Sequence, residues 1–188
     1  MLKKVLFIVI MAVITLGIQS FITEIQTQIT EKSSPVHWYT FSEAVALQKK
    51  EPRMIMVDVY TDWCGPCKMM SANTFGNPII ANYLNTKFYP VKFNAETRDS
   101  VAFNGVVFKN NNALDVQRPV HDFAASILDG KMVYPSIVFL NEEIKRVQVL
   151  TGYHKADQFE PIITFFGSNI YKDSTYEAFQ KTFIPQIK

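Results

Sequence analysis

Val57-Asp58-Val59-Tyr60-Thr61-Asp62-Trp63-Cys64-Gly65-Pro66-Cys67-Lys68 places two cysteines directly behind an apolar run. That run begins at Arg53 and is rich in Met, Ile and Val, the pattern of a central strand covered on both faces. Asp58 lies inside it, where burial is expected to raise the pKa of the carboxyl group. A helix is predicted to follow, from Cys64 to Phe75. A helix N-terminus leaves N–H groups unpaired and carries roughly half a positive charge. A thiolate held there is stabilised, and its pKa falls below the ordinary value of about 8.5. The spacing brings the second sulfur within bonding reach one turn later. Cys64, nearer the helix end and the surface, is the expected attacking thiolate, and the more buried Cys67 the resolving one. Gly65 and Pro66 set the tight approach to the helix, and Pro66 removes a donor that would compete.

The chain has 188 residues and only these two cysteines. An exported domain stapled by disulfides carries more of them, widely spaced. A bridge between Cys64 and Cys67 closes a tiny loop and constrains the unfolded chain little, so a chemical role is favoured over a structural one. The competing readings are an inert pair and half a zinc site. Zinc takes four ligands, and His37, His121 and His154 are scattered without ligand spacing. No metal is therefore expected. The histidines read as surface or satisfied core groups.

Outward from the cysteines, Val36–Thr40 reads as a short strand, and Thr40-Phe41-Ser42-Glu43 as a capping box opening a helix to Lys50. Gly76-Asn77-Pro78 breaks the cysteine helix, and Pro78 opens another to Thr86. Lys87–Asn94 is the next predicted strand. Residues 95–118 interrupt the alternation and read as an insertion, with Asn104-Gly105 between Val101-Ala102-Phe103 and Val106-Val107-Phe108 as a hairpin signature. Val120–Leu128 is a predicted helix. Ser136–Leu140 and Ile144–Leu150 form a predicted strand hairpin behind Pro135. A helix over Ala156–Phe166 closes the domain, with Pro161 placed near its first turn. Ser174-Thr175-Tyr176-Glu177 suggests a second capping box and a last helix, packing Tyr171, Tyr176, Phe179 and Phe183. Met69 and Met70 read as core filling.

Lys3 and Lys4 are the only charged residues among the first 20, so the net charge of +2 belongs to that segment and the remainder is formally neutral. No basic field is left for nucleic acid. Val5–Ile18 is apolar apart from Thr15 and Gly17, too short for the about 20 residues of a membrane span. Residues 1–20 are therefore read as a secretory signal peptide cleaved near Ser20. Ile18 suits the outer cleavage position poorly, and an uncleaved N-terminal anchor is the alternative. Residues 21–35 read as a linker, 36–167 as the domain, and 168–188 as a helical extension.

The run from Val57 to Lys68 closely resembles the active-site run of thioredoxins. Tyr134-Pro135-Ser136 ahead of an apolar strand resembles the loop in which that family holds a cis-proline opposite the cysteines, and Gly152 sits where the family has a glycine after its last strand. Thr74-Phe75 through Val91-Lys92-Phe93 also looks like exported thioredoxin-like proteins of the bacterial cell envelope. The resemblance spans residues 36–167. It implies an α/β, thioredoxin-like three-layer fold: a central mixed sheet flanked by helices, here with an inserted hairpin and an extra C-terminal helix. It further implies that Asp58 is a buried acid assisting proton transfer at Cys67. Trp63, Gly65, Pro66, Tyr134 and Pro135 would form the client surface, with a cis Tyr134–Pro135 bond presenting backbone to an extended client. Lys68 is read as a solvated first-turn lysine, with tuning of the thiolate as the alternative. The insertion either biases partner choice or is an elaborated edge.

The implied function is thiol–disulfide exchange on exported proteins, in the periplasm or cell envelope. It needs no cofactor, a membrane thiol carrier as electron donor, and membrane contact only through the N-terminal segment. The alternatives are a non-catalytic module of the same fold that holds an envelope partner, and a membrane-tethered structural protein.

Overall fold

The computed structural model describes residues 35–103, 105–111 and 117–188. The proposed signal segment and nearly all of the linker lie outside the described residues, as do Asn104 in the hairpin turn and Asn112 in the following loop.

The element order is α1 (Phe41–Gln48), β1 (Met54–Tyr60), α2 (Gly65–Asn73), α3 (Pro78–Lys87), β2 (Phe88–Asn94), β3 (Val101–Phe103), β4 (Val106–Phe108), α4 (Asp122–Ile127), β5 (Ser136–Leu140), β6 (Arg146–Thr151), α5 (Ala156–Gly167), a 3-10 turn at Ile170–Lys172, and α6 (Tyr176–Gln180). The main sheet has four strands in the order β2-β1-β5-β6. β1 runs parallel to β2 and antiparallel to β5, and β5 is antiparallel to β6, so the sheet is mixed.

Strand alternation divides the core in two. Met54 and Met56 of β1, with Ile137 and Phe139 of β5, face Met70, Ile80, Leu84, Phe159 and Ile163 from α2, α3 and α5. Ile55, Val57 and Val59 face the other way, toward Phe41 and Ala44 of α1 and Phe123 and Ala124 of α4. Every residue of β1 from Met54 to Val59 is buried, which is why the sequence shows a continuous run there rather than alternation. Asp58 shares parity with Met54 and Met56, and so lies on the α2 face.

The β3–β4 hairpin forms a separate two-stranded sheet. Phe103 meets Phe41 edge-on at 5.3 Å between centroids, and Phe108 meets Phe123 at 5.6 Å. Its return to the body runs through buried His121, whose Nδ1 accepts from the Phe123 N–H at 3.0 Å as the cap of α4 and whose Nε2 lies 2.8 Å from the Asp99 carbonyl. His121 is thus a satisfied core group.

Several local expectations need correction. The Val36–Thr40 strand shrinks to one parallel bridge, Tyr39 with Val91. Thr40 is committed to the capping box of α1, and the His37 N–H is taken by Asn85 Oδ1, so only Tyr39 pairs with β2. α1 ends at Gln48, and α4 is shorter than its apolar pattern because His121 caps it. Ile144 does not begin β6. It sits in the turn with φ 58°, and its N–H bonds the Asn141 carbonyl. Pro161 lies inside α5 rather than at its first turn. The missing N–H deprives the carbonyl of Asp157, an exposed residue. α6 is capped by Thr175 bonding the Ala178 N–H, one position later than the predicted box. Met70 is fully buried, whereas Met69 is 48% exposed.

Beyond α5, Phe165 meets Tyr176 and Phe179 at 5.3 and 5.4 Å, and Phe166 meets Tyr171 at 5.6 Å. The aromatic tail therefore packs on α5. Buried Glu160 adds a polar stitch: its carboxylate accepts from the Gln186 N–H at 2.7 Å and the Ile187 N–H at 3.0 Å. Phe159, at 0% exposure, is the anchor of this layer. Phe159→Ala is expected to lower the unfolding free energy by about 3–5 kcal/mol in urea titrations, whereas Met69→Ala stays within about 0.5 kcal/mol.

Candidate functional site

Cys64 and Cys67 are joined in a disulfide, with Cα atoms 5.3 Å apart, at the start of α2. Cys64 is the N-cap residue, in extended conformation, and its Sγ accepts a hydrogen bond from the Cys67 N–H at 3.1 Å. The cap position is normally filled by Ser, Thr, Asp or Asn, whose side-chain oxygen takes an orphan N–H of the first turn. Here a sulfur takes it. Pro66 occupies the first turn without an N–H, so the Cys67 amide is the donor aimed at that sulfur. When the disulfide opens, the same N–H and the positive helix end lie against the Cys64 thiolate.

Exposure does not rank the two cysteines as expected. Cys64 is 3% and Cys67 7% exposed, so the nearer-to-surface placement of Cys64 is corrected. In the disulfide each sulfur covers the other. What distinguishes the two is the helix: only Cys64 receives the capping N–H. Gly65 is exposed, and a Cβ built there would meet nothing within 4 Å. The fold does not demand glycine at this point. Its absence of side chain leaves open surface beside Cys64 instead.

Asp58 projects from β1 toward α2 and is 3% exposed. Together with Thr61, Cys67, Lys68, Ser71 and Lys92 it lines a cavity of about 140 Å³. Asp58 Oδ1 and Thr61 Oγ1 are buried with no hydrogen-bond partner. Burial pushes the Asp58 carboxyl up to about 7, and Lys92 pulls against that rise without cancelling it. Lys92 stands opposite Asp58 in the β1–β2 register. Its ammonium lies 5.3 Å from the Trp38 ring centroid and 5.2 Å from that of Tyr60, and donates to Ser71 Oγ at 3.3 Å. A polar pocket with a near-neutral acid thus abuts the second cysteine. Lys68 lines the pocket mouth and is exposed, in keeping with a solvated first-turn lysine.

The Tyr134–Pro135 bond is cis. Gly152, at φ 88°, donates its N–H to the Pro135 carbonyl at 2.8 Å, tying the end of β6 to the proline loop. A side chain at that φ would be strained, which accounts for glycine there. Tyr134 reaches the cysteine motif through its ring, 6.1 Å from Trp63 in an edge-on contact. Trp63 itself is 48% exposed.

Three contributors escaped the sequence reading. Lys92 was detectable in principle, since it alternates with Phe88 and Pro90 on the strand beside β1 and so falls on the Asp58 face. Glu96 and Arg118 carry no such signal. They reach Trp63 from the two ends of the insertion, Glu96 just beyond β2 and Arg118 ahead of α4. Among the described residues, no group of three or more His, Cys, Asp or Glu could hold a metal ion, and no helix is long and apolar enough to cross a membrane.

A dithiol at a helix start, a buried acid behind its second cysteine and a cis-proline loop joined to the motif by ring contact define a thioredoxin-like site. Comparison with known proteins agrees. The family model Thioredox_DsbH, described as a protein of unknown function (DUF255), matches residues 26–110. The thiol:disulfide interchange protein DsbD of Pectobacterium atrosepticum is 27% identical over 120 residues, which cover 63% of this chain and 17% of that protein. Chloroplastic thioredoxin F of Oryza sativa subsp. japonica is 32% identical over 57 residues, 30% of this chain and 27% of that protein. The matches thus span well under a third of either relative. Among solved structures, a thioredoxin from Thermus thermophilus superposes with TM-score 0.51 at 20% identity, covering 70% of this chain and 86% of that one. A thioredoxin-fold protein from Helicobacter pylori gives TM-score 0.52 at 15% identity, over 69% of this chain and 83% of that one. The chain has a thioredoxin-like fold.

The raised Asp58 pKa has a stability consequence. Between pH 4 and pH 7 the folded chain keeps a proton on Asp58 that the unfolded chain has released, so stability falls as pH rises through this window and levels off above it. Asp58→Asn removes the loss. The variant is expected to exceed the parent by several kcal/mol, of order 4 at most, at pH 8.5, with the gain vanishing toward pH 4 in denaturant titrations of the oxidised protein.

Proposed function

We propose that this chain is a thiol–disulfide oxidoreductase that reduces disulfides in exported proteins. The observation that carries the reading is the hydrogen bond from the Cys67 N–H to Cys64 Sγ at the start of α2, because it prepares one sulfur of the pair to exist as a thiolate.

In the reduced chain the Cys64 thiolate attacks one sulfur of the client disulfide, and the other client sulfur leaves as a thiolate that takes up a proton. Cys67 then loses its proton and attacks Cys64 in the mixed disulfide. The second client sulfur departs, and Cys64 and Cys67 are left joined, as they are in this structure. Two electrons have passed from the dithiol to the client. Asp58 is the group that takes the Cys67 proton: it lines the same cavity, and with its pKa near 7 it can both accept and return a proton near neutral pH. Trp63, Gly65, Pro66, Tyr134 and Pro135 form the surface on which the client lies, a role supported by the ring contact joining the motif to the proline loop.

The Gly-Pro pair between the cysteines resembles that of reducing thioredoxins and supports reduction as the direction. A membrane-embedded thiol carrier then re-reduces the pair. The apolar segment Val5–Ile18 supports placement in the periplasm or cell envelope. The competing reading, a non-catalytic binding module of the same fold, predicts no thiol turnover.

In an insulin reduction assay driven by dithiothreitol, the parent chain is expected to accelerate precipitation and Cys64→Ser to abolish the effect. Equal rates for the two would refute the reading. Cys67→Ser is expected to accumulate covalent client complexes on Cys64 that dissolve on adding reductant. Asp58→Asn is expected to slow release of the mixed disulfide roughly tenfold to a hundredfold, and to remove the rise in rate through pH 7. A parent-like pH profile in stopped-flow measurements would take Asp58 out of the mechanism.

A further inference from the structure

Trp63 is gripped on two sides by residues from the insertion. Its indole N–H donates to Glu96 Oε1 at 2.8 Å. The Arg118 guanidinium lies over its face, with Cζ 4.2 Å from the ring centroid. The first contact sets the orientation of the ring, and the electron-rich face then holds the cation. A guanidinium held this close to the ring meets it from one side, and the N–H donors on its exposed side stay available.

Arg118 is exposed, and no carboxylate among the described residues lies within ion-pair distance of it. Glu96, on the same indole, spends a carboxylate oxygen on its N–H. The insertion therefore presents, against the residue directly before Cys64, a guanidinium that no carboxylate among the described residues pairs with. Such a fork matches the two oxygens of a carboxylate, and the ring contact already restricts the side chain, so less freedom is lost on binding.

We propose that Arg118 is a specificity-determining residue that receives a client carboxylate, so that this dithiol prefers disulfides flanked by Asp or Glu. The inference rests on the oxidoreductase reading above and adds to it the class of client. Arg118 touches the client and not the reacting sulfurs, so its effect lies in KM more than in kcat.

The test uses the full chain and three disulfide-cyclised peptides that differ only in the two residues beside each cysteine: Glu, Gln or Lys. The measured quantity is the ratio of kcat/KM for the Glu peptide over the Lys peptide at low ionic strength. The parent is expected to favour the Glu peptide roughly threefold to fivefold, the size of one exposed ion pair, with the ratio shrinking in 0.5 M salt. Arg118→Lys is expected to keep the ratio above one, Arg118→Ala to bring it to about one, and Arg118→Glu to invert it. A ratio that is the same in the parent, Arg118→Ala and Arg118→Glu overturns the inference while leaving the oxidoreductase reading intact. If the parent turns over none of the peptides, including the Gln form, both fall together.

Discussion

The first turn of α2 has one amide aimed at one sulfur, and much else in the molecule exists to keep that pair in place. β1 must end where α2 begins, so its Met54–Val59 stretch is buried on both faces as a rigid base. Met70 locks α2 onto the sheet from one turn further along. A cap made by a hydroxyl would stabilise the helix equally well. A cap made by sulfur makes the helix end serve chemistry, since the same electrostatics that satisfy an orphan N–H favour the ionised thiol.

Behind the pair sits a second constraint of opposite character. Asp58 is held where its charge is poorly solvated, with one oxygen lacking any protein partner. Lys92 lies opposite in register, yet its ammonium is shared among two aromatic faces and a serine hydroxyl rather than given over to the acid. A tighter ion pair would drop the Asp58 pKa into the ordinary carboxylate range and leave it unable to hold a proton at neutral pH. The partial engagement of Lys92 is thus part of what leaves the Asp58 pKa raised, at a cost in folding stability that rises with pH.

Much of this was visible in the order of residues alone. The strand–CxxC–helix unit, the capping box at Thr40 and Glu43, and the buried acid at Asp58 are local patterns with few physical interpretations. The misreadings arose where tertiary partners decide the outcome. Asn85 claims the His37 amide, so the first strand never extends. The turn carbonyl of Asn141 claims Ile144 and delays β6. Cys64 looked exposed because helix ends usually are, but the disulfide hides both sulfurs. Glu96 and Arg118 could not be assigned at all, because nothing in the composition of an insertion says which of its residues meet the site.

Glu160 gives the far end of the molecule a similar economy. A single carboxylate, interred under the aromatic tail, grips two consecutive backbone amides at Gln186 and Ile187. Shortening the chain by three residues would leave both carboxyl oxygens without the backbone donors they hold now, with the penalty felt in α5 and hence in the layer supporting the sheet. Engineers wishing to display this protein or fuse it to another have more freedom at the loop between Gln180 and Pro185 than at the final amides, which behave as masonry rather than trim.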